Sequence, residues 1–337
     1  MSSMATAIHR WIGVDAACQT RLRAVRCAQL ALLSGGGKLR RPEKQKAAEQ
    51  MSSGKLFHNL FLRVGAMKAG TTWLYAVLER HPELHFTHEK EIHYFYHKYV
   101  DSNLLGEQRR LVNASERYLH RFDPEKSNID RVRENLHWTS AYLQRPVDDH
   151  WFRNLFQMRP HQKWGCEFSN LNAHLPAEAW PQIADQCDNL RVLYTMRDPI
   201  KRLWSHTKFH LQVTGQVEKL DTWAPGDFKK FVYTPHIWNN AEYGQILRKL
   251  KAGLPADTLK VIFYEDLHAD QGGTLKAIED FLEVKNFNYP QQLLDRRYTE
   301  SVKYEMPGFF VDLFADDVAR IRREIEAEGF IVPQKWG

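Results

Sequence analysis

The chain has little cysteine, no long apolar run and, over most of its length, no net charge. Only Cys18, Cys27, Cys166 and Cys187 occur in 337 residues, and no two of them form a C-x-x-C pair. A disulfide-framed fold is thereby excluded, and a reducing compartment, the cytoplasm, is expected. No apolar stretch is long enough to cross a bilayer, so no membrane-spanning anchor is expected. The formal net charge is +6, yet residues 1–54 hold nine Lys plus Arg against three acids, which leaves 38 of each in the remainder. A neutral body has no broad field for nucleic acid or for a highly charged polysaccharide. No internal repeat is visible.

What is present is apolar and aromatic. Apolar residues make up 43% of the chain, with ten Trp and eighteen Phe, enough for a substantial core in one or two domains. Residues 1–54, with Arg21, Arg23, Arg26, Lys38, Arg40, Arg41, Lys44 and Lys46 around three glycines, read as a basic, disordered extension. Residues 55–337 read as a single domain.

The most telling segment is FLRVGAMKAGTTWL, residues 61–74. An apolar run breaks into a glycine-flanked lysine and two threonines, then resumes with helical spacing. This predicts a strand, a phosphate-cradling loop and a helix whose amide-bearing start faces an anion. In a nucleotide triphosphatase loop the lysine follows the second glycine and the next hydroxyl holds Mg²⁺. Here Lys68 lies between Gly65 and Gly70, which fits a metal-free phosphate site better.

Leu74, Val77 and Leu78 share one helical face, and His81-Pro82 ends that helix. Residues 99–159 are polar and aromatic with weak periodicity, and read as an insertion over the sheet that shapes a substrate pocket. Leu190 to Met196 form a second buried strand, after which Arg197-Asp198-Pro199 opens a helix, with proline where its missing amide is harmless. Leu259 to Tyr264 are a third apolar run. Strands alternating with helices predict a parallel α/β sheet with its sites at the carboxyl ends of the strands. Near the end, residues 316–328 form a charged helix that turns Val318, Ile321 and Ile325 inward.

Four landmarks occur in order: VGAMKAGTTW at 64–73, KEIHYF at 90–95, RDPIKRLWSH at 197–206 and FYEDL at 263–267. Together they resemble the sulfotransferases that use 3′-phosphoadenosine 5′-phosphosulfate, in particular the bacterial and Golgi carbohydrate-type branch, over residues 58–337. The resemblance implies a P-loop NTPase-like parallel sheet flanked by helices, and a phosphosulfate cradle of Lys68, Ala69, Gly70, Thr71, Thr72 and Trp73. It implies a 3′-phosphate site at Arg197 and Ser205, a general base at Glu91 with His93 as its partner or as the alternative base, and a basic residue at Lys303 in a loop over the nucleotide. WGCEFS at 164–169 resembles the family's GE-x-S segment and makes Glu167 a second acid near the site. Tyr96 departs from the heparan-type pattern, which often has an acid there. The acceptor is expected to carry a hydroxyl or amine on a small molecule, lipid or sugar, and no metal is expected.

The chemistry agrees with these positions. Charge builds on the oxygen leaving with the nucleotide, where a fixed ammonium acts most strongly. A carboxylate within reach of an acceptor hydroxyl can take its proton. Arg202 reads as a solvated helix charge. His81, His85, His88, His93 and His97 have irregular spacing and no thiolate beside them, so they do not read as a metal site. The rivals are a P-loop kinase that requires Mg²⁺ and a nucleotide-binding adaptor on an inactive scaffold.

Overall fold

A computed structural model describes residues 54–101, 103–119, 123, 125–298 and 302–336. The basic residues 21–46, Cys18 and Cys27 lie outside the described residues.

Strand β1 (Phe57–Gly65) is the centre of a five-stranded sheet of order β2-β3-β1-β4-β5. The others are β2 (Leu84–Phe86), β3 (Trp164–Phe168), β4 (Cys187–Met196) and β5 (Leu259–Phe263). All four pairings are parallel, as expected from the alternation of strands and helices. A parallel sheet is covered on both faces, which is why its strands read as continuous apolar runs. Leu60, Leu62 and Val64 pack into one cluster with Tyr194 and Met196. Phe61 and Leu193 point into a second cluster, built with Trp73, Leu74, Val77 and Leu78.

The principal helices follow in chain order. Helix α1 (Thr71–Leu78) leaves the loop after β1, and α2 (Tyr94–Tyr99) follows the KEIH segment. The insertion holds α3 (Glu107–Ala114), a π-helical turn at Ser115–Leu119, α4 (Ile129–Tyr142) and α5 (Asp149–Asn154). Helix α6 (Pro199–Val213) follows β4, then come α7 (Tyr243–Gly253), α8 (Tyr264–Ala269) after β5, and α9 (Ala315–Ala327). In α9, Ile321 and Ile325 are fully buried and Val318 packs against the same core. No helix among the described residues is long and apolar enough to cross a membrane.

The insertion at 99–159, read as weakly periodic, is built of helices. Its helices have start signals, since Asn128 Oδ1 accepts from the amides of Asp130 and Arg131, and Asp148 Oδ1 from that of Trp151. Their periodicity is weak because α4 buries only Trp138, Thr139 and Tyr142 of its 14 residues.

Candidate active site

The loops after β1, β3 and β4 leave one edge of the sheet side by side. Two glycines shape the first. Gly65 has φ of 149°, and a Cβ there would meet Ala173 Cβ at 3.0 Å and Tyr194 Cε2 at 3.2 Å. Gly70 has φ of 76°, and its Cβ would press on the Tyr264 ring at 3.1 Å. Side chains at either position would be strained as well as crowded. Gly70 is the N-cap of α1 and offers no capping side chain. The first-turn amides of α1 are therefore available to an anion. Thr71 is buried and Thr72 half-buried at that start.

Lys68 is itself left-handed, with φ of 67°. Its Nζ stands 4.1 Å from the centre of the Phe209 ring. Arg197 Nη1 donates to Lys68 O at 2.9 Å, and its guanidinium lies over the Tyr264 ring at 4.5 Å. Burial, then Arg197, Lys90 and Lys208, hold the Lys68 ammonium down to about 8. Among the described residues neither Lys68 nor Arg197 has a carboxylate within ion-pair distance. Cations gathered without counter-charges favour an anionic ligand.

Asp198 caps α6 by accepting from the amides of Ile200 at 3.0 Å and Lys201 at 3.3 Å. Its own amide donates to Glu265 Oε1 at 3.1 Å, and Trp336 Nε1 donates to the other oxygen of that carboxylate at 2.8 Å. The FYEDL landmark thus braces the turn that carries Arg197. Ser205 is half-buried on α6, and Lys208 lies one turn further on. Lys208 Nζ donates to the carbonyls of Val302 and Tyr304, each at 3.3 Å. Exposed Lys303 lies between those two residues in the chain. Lys208 was not anticipated, although its i+3 spacing from Ser205 is a legible signal.

Arg202 is a correction. It is fully buried, donating to Ile237 O at 3.1 Å and facing His206 Nδ1 at 3.2 Å, because the chain around residue 237 covers that side of α6.

Glu91 and His93 come together, though not on an extended strand. Residues 87–93 are irregular, and His93 turns left-handed (φ 59°) to start α2. Glu91 Oε1 accepts from Lys90 Nζ at 2.5 Å and from Asn170 Nδ2 at 2.8 Å, while Oε2 lies 3.4 Å from His93 Nε2. Burial alone would raise the carboxyl, but the His93 bond and the Lys90 charge outweigh it and bring it to about 2. His93 N donates to Ser169 Oγ at 2.8 Å, and Ser169 Oγ donates to Glu167 Oε1. Glu167 also accepts from Asn172 Nδ2 at 3.1 Å and is only 1% exposed. Burial pushes its carboxyl up to about 7, against the Ser169 bond and the His93 charge. It braces the site from beneath and has no open path to an acceptor.

Trp73 is buried, with its Nε1 donating to Leu294 O at 2.9 Å and its ring 6.2 Å from that of His268. Ala69 is buried, and its carbonyl accepts from Arg63 Nη2 at 3.2 Å. No group of three His, Cys, Asp or Glu side chains among the described residues is placed to hold a metal ion. His81 bonds the carbonyl of Lys285, 204 residues on, and His97 Nδ1 accepts from Leu105 N.

The model of the Sulfotransferase family matches residues 61–288, from within β1 past β5. The crystal structure of a sulfotransferase from Alicyclobacillus acidocaldarius shares the fold, with a TM-score of 0.54 at 18% identity over 83% of this chain and 98% of that one. The sulfotransferase domain of the Synechococcus PCC 7002 olefin synthase aligns at 17% identity with a TM-score of 0.43, covering 82% of this chain and 95% of that one. A mouse sulfotransferase complexed with PAP aligns at 15% identity with a TM-score of 0.35, over 82% and 95%. A search of curated proteins finds no match. The family match spans more than half of the chain and takes in the loop, Glu91, Arg197 and Tyr264; this protein therefore belongs to the sulfotransferase family.

Proposed function

We propose that the enzyme transfers a sulfuryl group from 3′-phosphoadenosine 5′-phosphosulfate to a hydroxyl or amine of its acceptor by in-line displacement. The carrying observation is that Lys68 and Arg197, with Lys208 nearby, converge on the glycine-shaped loop and have no carboxylate partner there among the described residues. The amides of 69–72 and Lys68 would hold the phosphosulfate. Arg197 and Ser205, with Lys208, would hold the 3′-phosphate, and Trp73 and Lys303 would flank the nucleotide. That second anion site distinguishes this donor from ATP.

The donor supplies the sulfuryl group, and the bond from sulfur to its phosphate oxygen breaks as the acceptor oxygen or nitrogen bonds to sulfur. Glu91 takes the acceptor's proton, held in place by His93. Lys68 meets the charge that builds on the departing oxygen. In the resting geometry Glu91 is too acidic to be an effective base, since a base works best near the operating pH. Lys90 lies close enough to Lys68 to lower it. Turned toward the donor's anionic groups, Lys90 would release Glu91 and raise its basicity.

The insertion offers room for an acceptor close to the Glu91 segment. Arg117 and Tyr118 both bond to Glu89, two residues before Glu91. Beside them is a cavity of about 570 Å³ with a mixed lining, polar at Lys126, Asn128, Arg131 and Asn135 and apolar at Val132 and Leu136, roomy enough for a small molecule.

The test combines ligand binding with one substitution. PAP, adenosine 3′,5′-bisphosphate, should raise the melting temperature, by about 2.7 kcal/mol of stabilisation at a hundredfold excess over Kd. ATP with Mg²⁺ should do little. Glu91→Gln should keep the PAP shift and abolish turnover. A shift with Mg-ATP alone would overturn the donor assignment, and an active Glu91→Gln would overturn the base.

A further inference from the structure

The loop and the base are joined by buried hydrogen bonds that the reaction above does not use. Arg63 stands inside β1, among Phe61, Leu62 and Val64, and is 1% exposed. Its neighbours across the sheet are Phe168 and Leu193. A guanidinium in such a place needs partners for its donors, and Arg63 has them at both Nη atoms, while its Nε is buried without one among the described residues. Nη1 donates to Asn170 Oδ1 at 2.8 Å, and Nη2 donates to the loop carbonyl of Ala69 at 3.2 Å.

Arginine has no acceptor, so it fixes which way the Asn170 amide points. Oδ1 must face Arg63, and Nδ2 is thereby turned to Glu91 Oε1, 2.8 Å away. One unbroken line of contacts runs from the carbonyl of Ala69 through Arg63 and Asn170 to the carboxylate. We propose that Arg63 and Asn170 are positioning residues, which together hold Glu91 in orientation for proton transfer and tie that orientation to the shape of the donor loop at Ala69. The proposal rests on Glu91 being the base.

The geometry gives each residue a separate share. Asn170 hydrogen-bonds Glu91 directly; Arg63 hydrogen-bonds the loop carbonyl and is bonded to Glu91 through Asn170, while its charge also acts on the carboxylate across space. The charged and titratable groups facing Glu91 are Lys90 and His93 on its own segment, Arg63 from β1 and Glu167 from β3, with Glu89 two residues behind.

The test uses the full chain with Asn170→Ala, Asn170→Asp, Arg63→Met and the double variant Arg63→Met/Asn170→Ala. Steady-state kinetics are read across pH, and PAP binding is read by calorimetry. Asn170→Ala should lower kcat by about 10- to 100-fold, the scale of a misplaced reacting group, with PAP affinity unchanged. Asn170→Asp keeps a partner for Arg63 but sets a second carboxylate beside Glu91. Ionising Glu91 becomes harder, so the acid limb of kcat/KM moves to higher pH. Arg63→Met should lower kcat and also weaken PAP, because Ala69 O loses its donor. In the Asn170→Ala background it should add little to the kcat loss, as expected of residues acting through one another.

A purely structural role would instead lower the melting temperature and leave the acid limb in place. If Arg63→Met does not fold, the two Asn170 variants decide. Unchanged kcat and acid limb in both, with Glu91→Gln inactive, would overturn the positioning role and leave the base standing. An active Glu91→Gln would overturn both.

Discussion

Lys68 is a cation held among cations, and its titration is the most direct residue-scale consequence. Burial, Arg197, Lys90 and Lys208 keep its ammonium at about 8 in the free enzyme. An anion bound against it favours the charged form, so the value rises in the complex. The sign follows by linkage: PAP affinity is steady below about pH 8 and falls as pH rises through that value, by up to tenfold per unit. Calorimetric titrations from about pH 7 to 9 would show the slope. Lys68→Ala should bind PAP weakly and lose the slope, with turnover reduced as well. A flat profile in the unaltered chain would remove the ammonium from the set of phosphate contacts.

At the scale of elements, α6 carries Ser205 and Lys208 one turn apart, both beside the strand end that holds Arg197. Lys208→Met should weaken PAP by about tenfold, the order of one charge-assisted hydrogen bond. Adenosine 5′-phosphate, which has no 3′-phosphate, should be affected much less. Equal losses for the two nucleotides would place Lys208 away from the 3′ end. The same elements show how far the sequence could be read. Strand β1, its loop and α1 were legible because an apolar run, two glycines and a hydroxyl-bearing helix start each serve a local need. The β4 to α6 turn was legible through Asp198 and Pro199.

What escaped was non-local. Arg202 looked like a solvent-facing charge, since spacing along α6 says nothing of the carbonyl of Ile237, 35 residues on. Asn170 finds Glu91 at 79 residues' separation and Arg63 at 107, and no pattern within either segment announces the meeting. A lone arginine in an otherwise apolar strand was the available signal. In the insertion, helices that bury only one narrow side left too faint a rhythm to detect.

At the scale of the whole molecule, Trp336 links remote parts of the sequence to the turn that carries Arg197. Its ring, 1% exposed, packs edge-on to Phe263 at 5.4 Å and beside Tyr243 at 6.1 Å, while Arg322 donates to its carbonyl. Its Nε1 holds Glu265, which in turn holds the Asp198 amide next to Arg197. Trp336→Ala should cost about 3–5 kcal/mol in urea unfolding, the range for emptying a buried tryptophan site. It should also raise the Kd for PAP. Trp336→Phe should recover most of the stability but not the affinity, because the ring returns without its N–H. Full recovery of both would mean that packing alone matters there.

The crowded, uncompensated positive charge around Lys68 and Arg197 has a practical corollary for anyone handling the purified protein. Mutual repulsion among these cations is relieved by an oxyanion bound against them. Sulfate or phosphate buffers will thus act as surrogate occupants and make the preparation sturdier than chloride does at equal ionic strength. They will also compete with the nucleotide, so kinetic constants measured in them will describe a partly blocked enzyme.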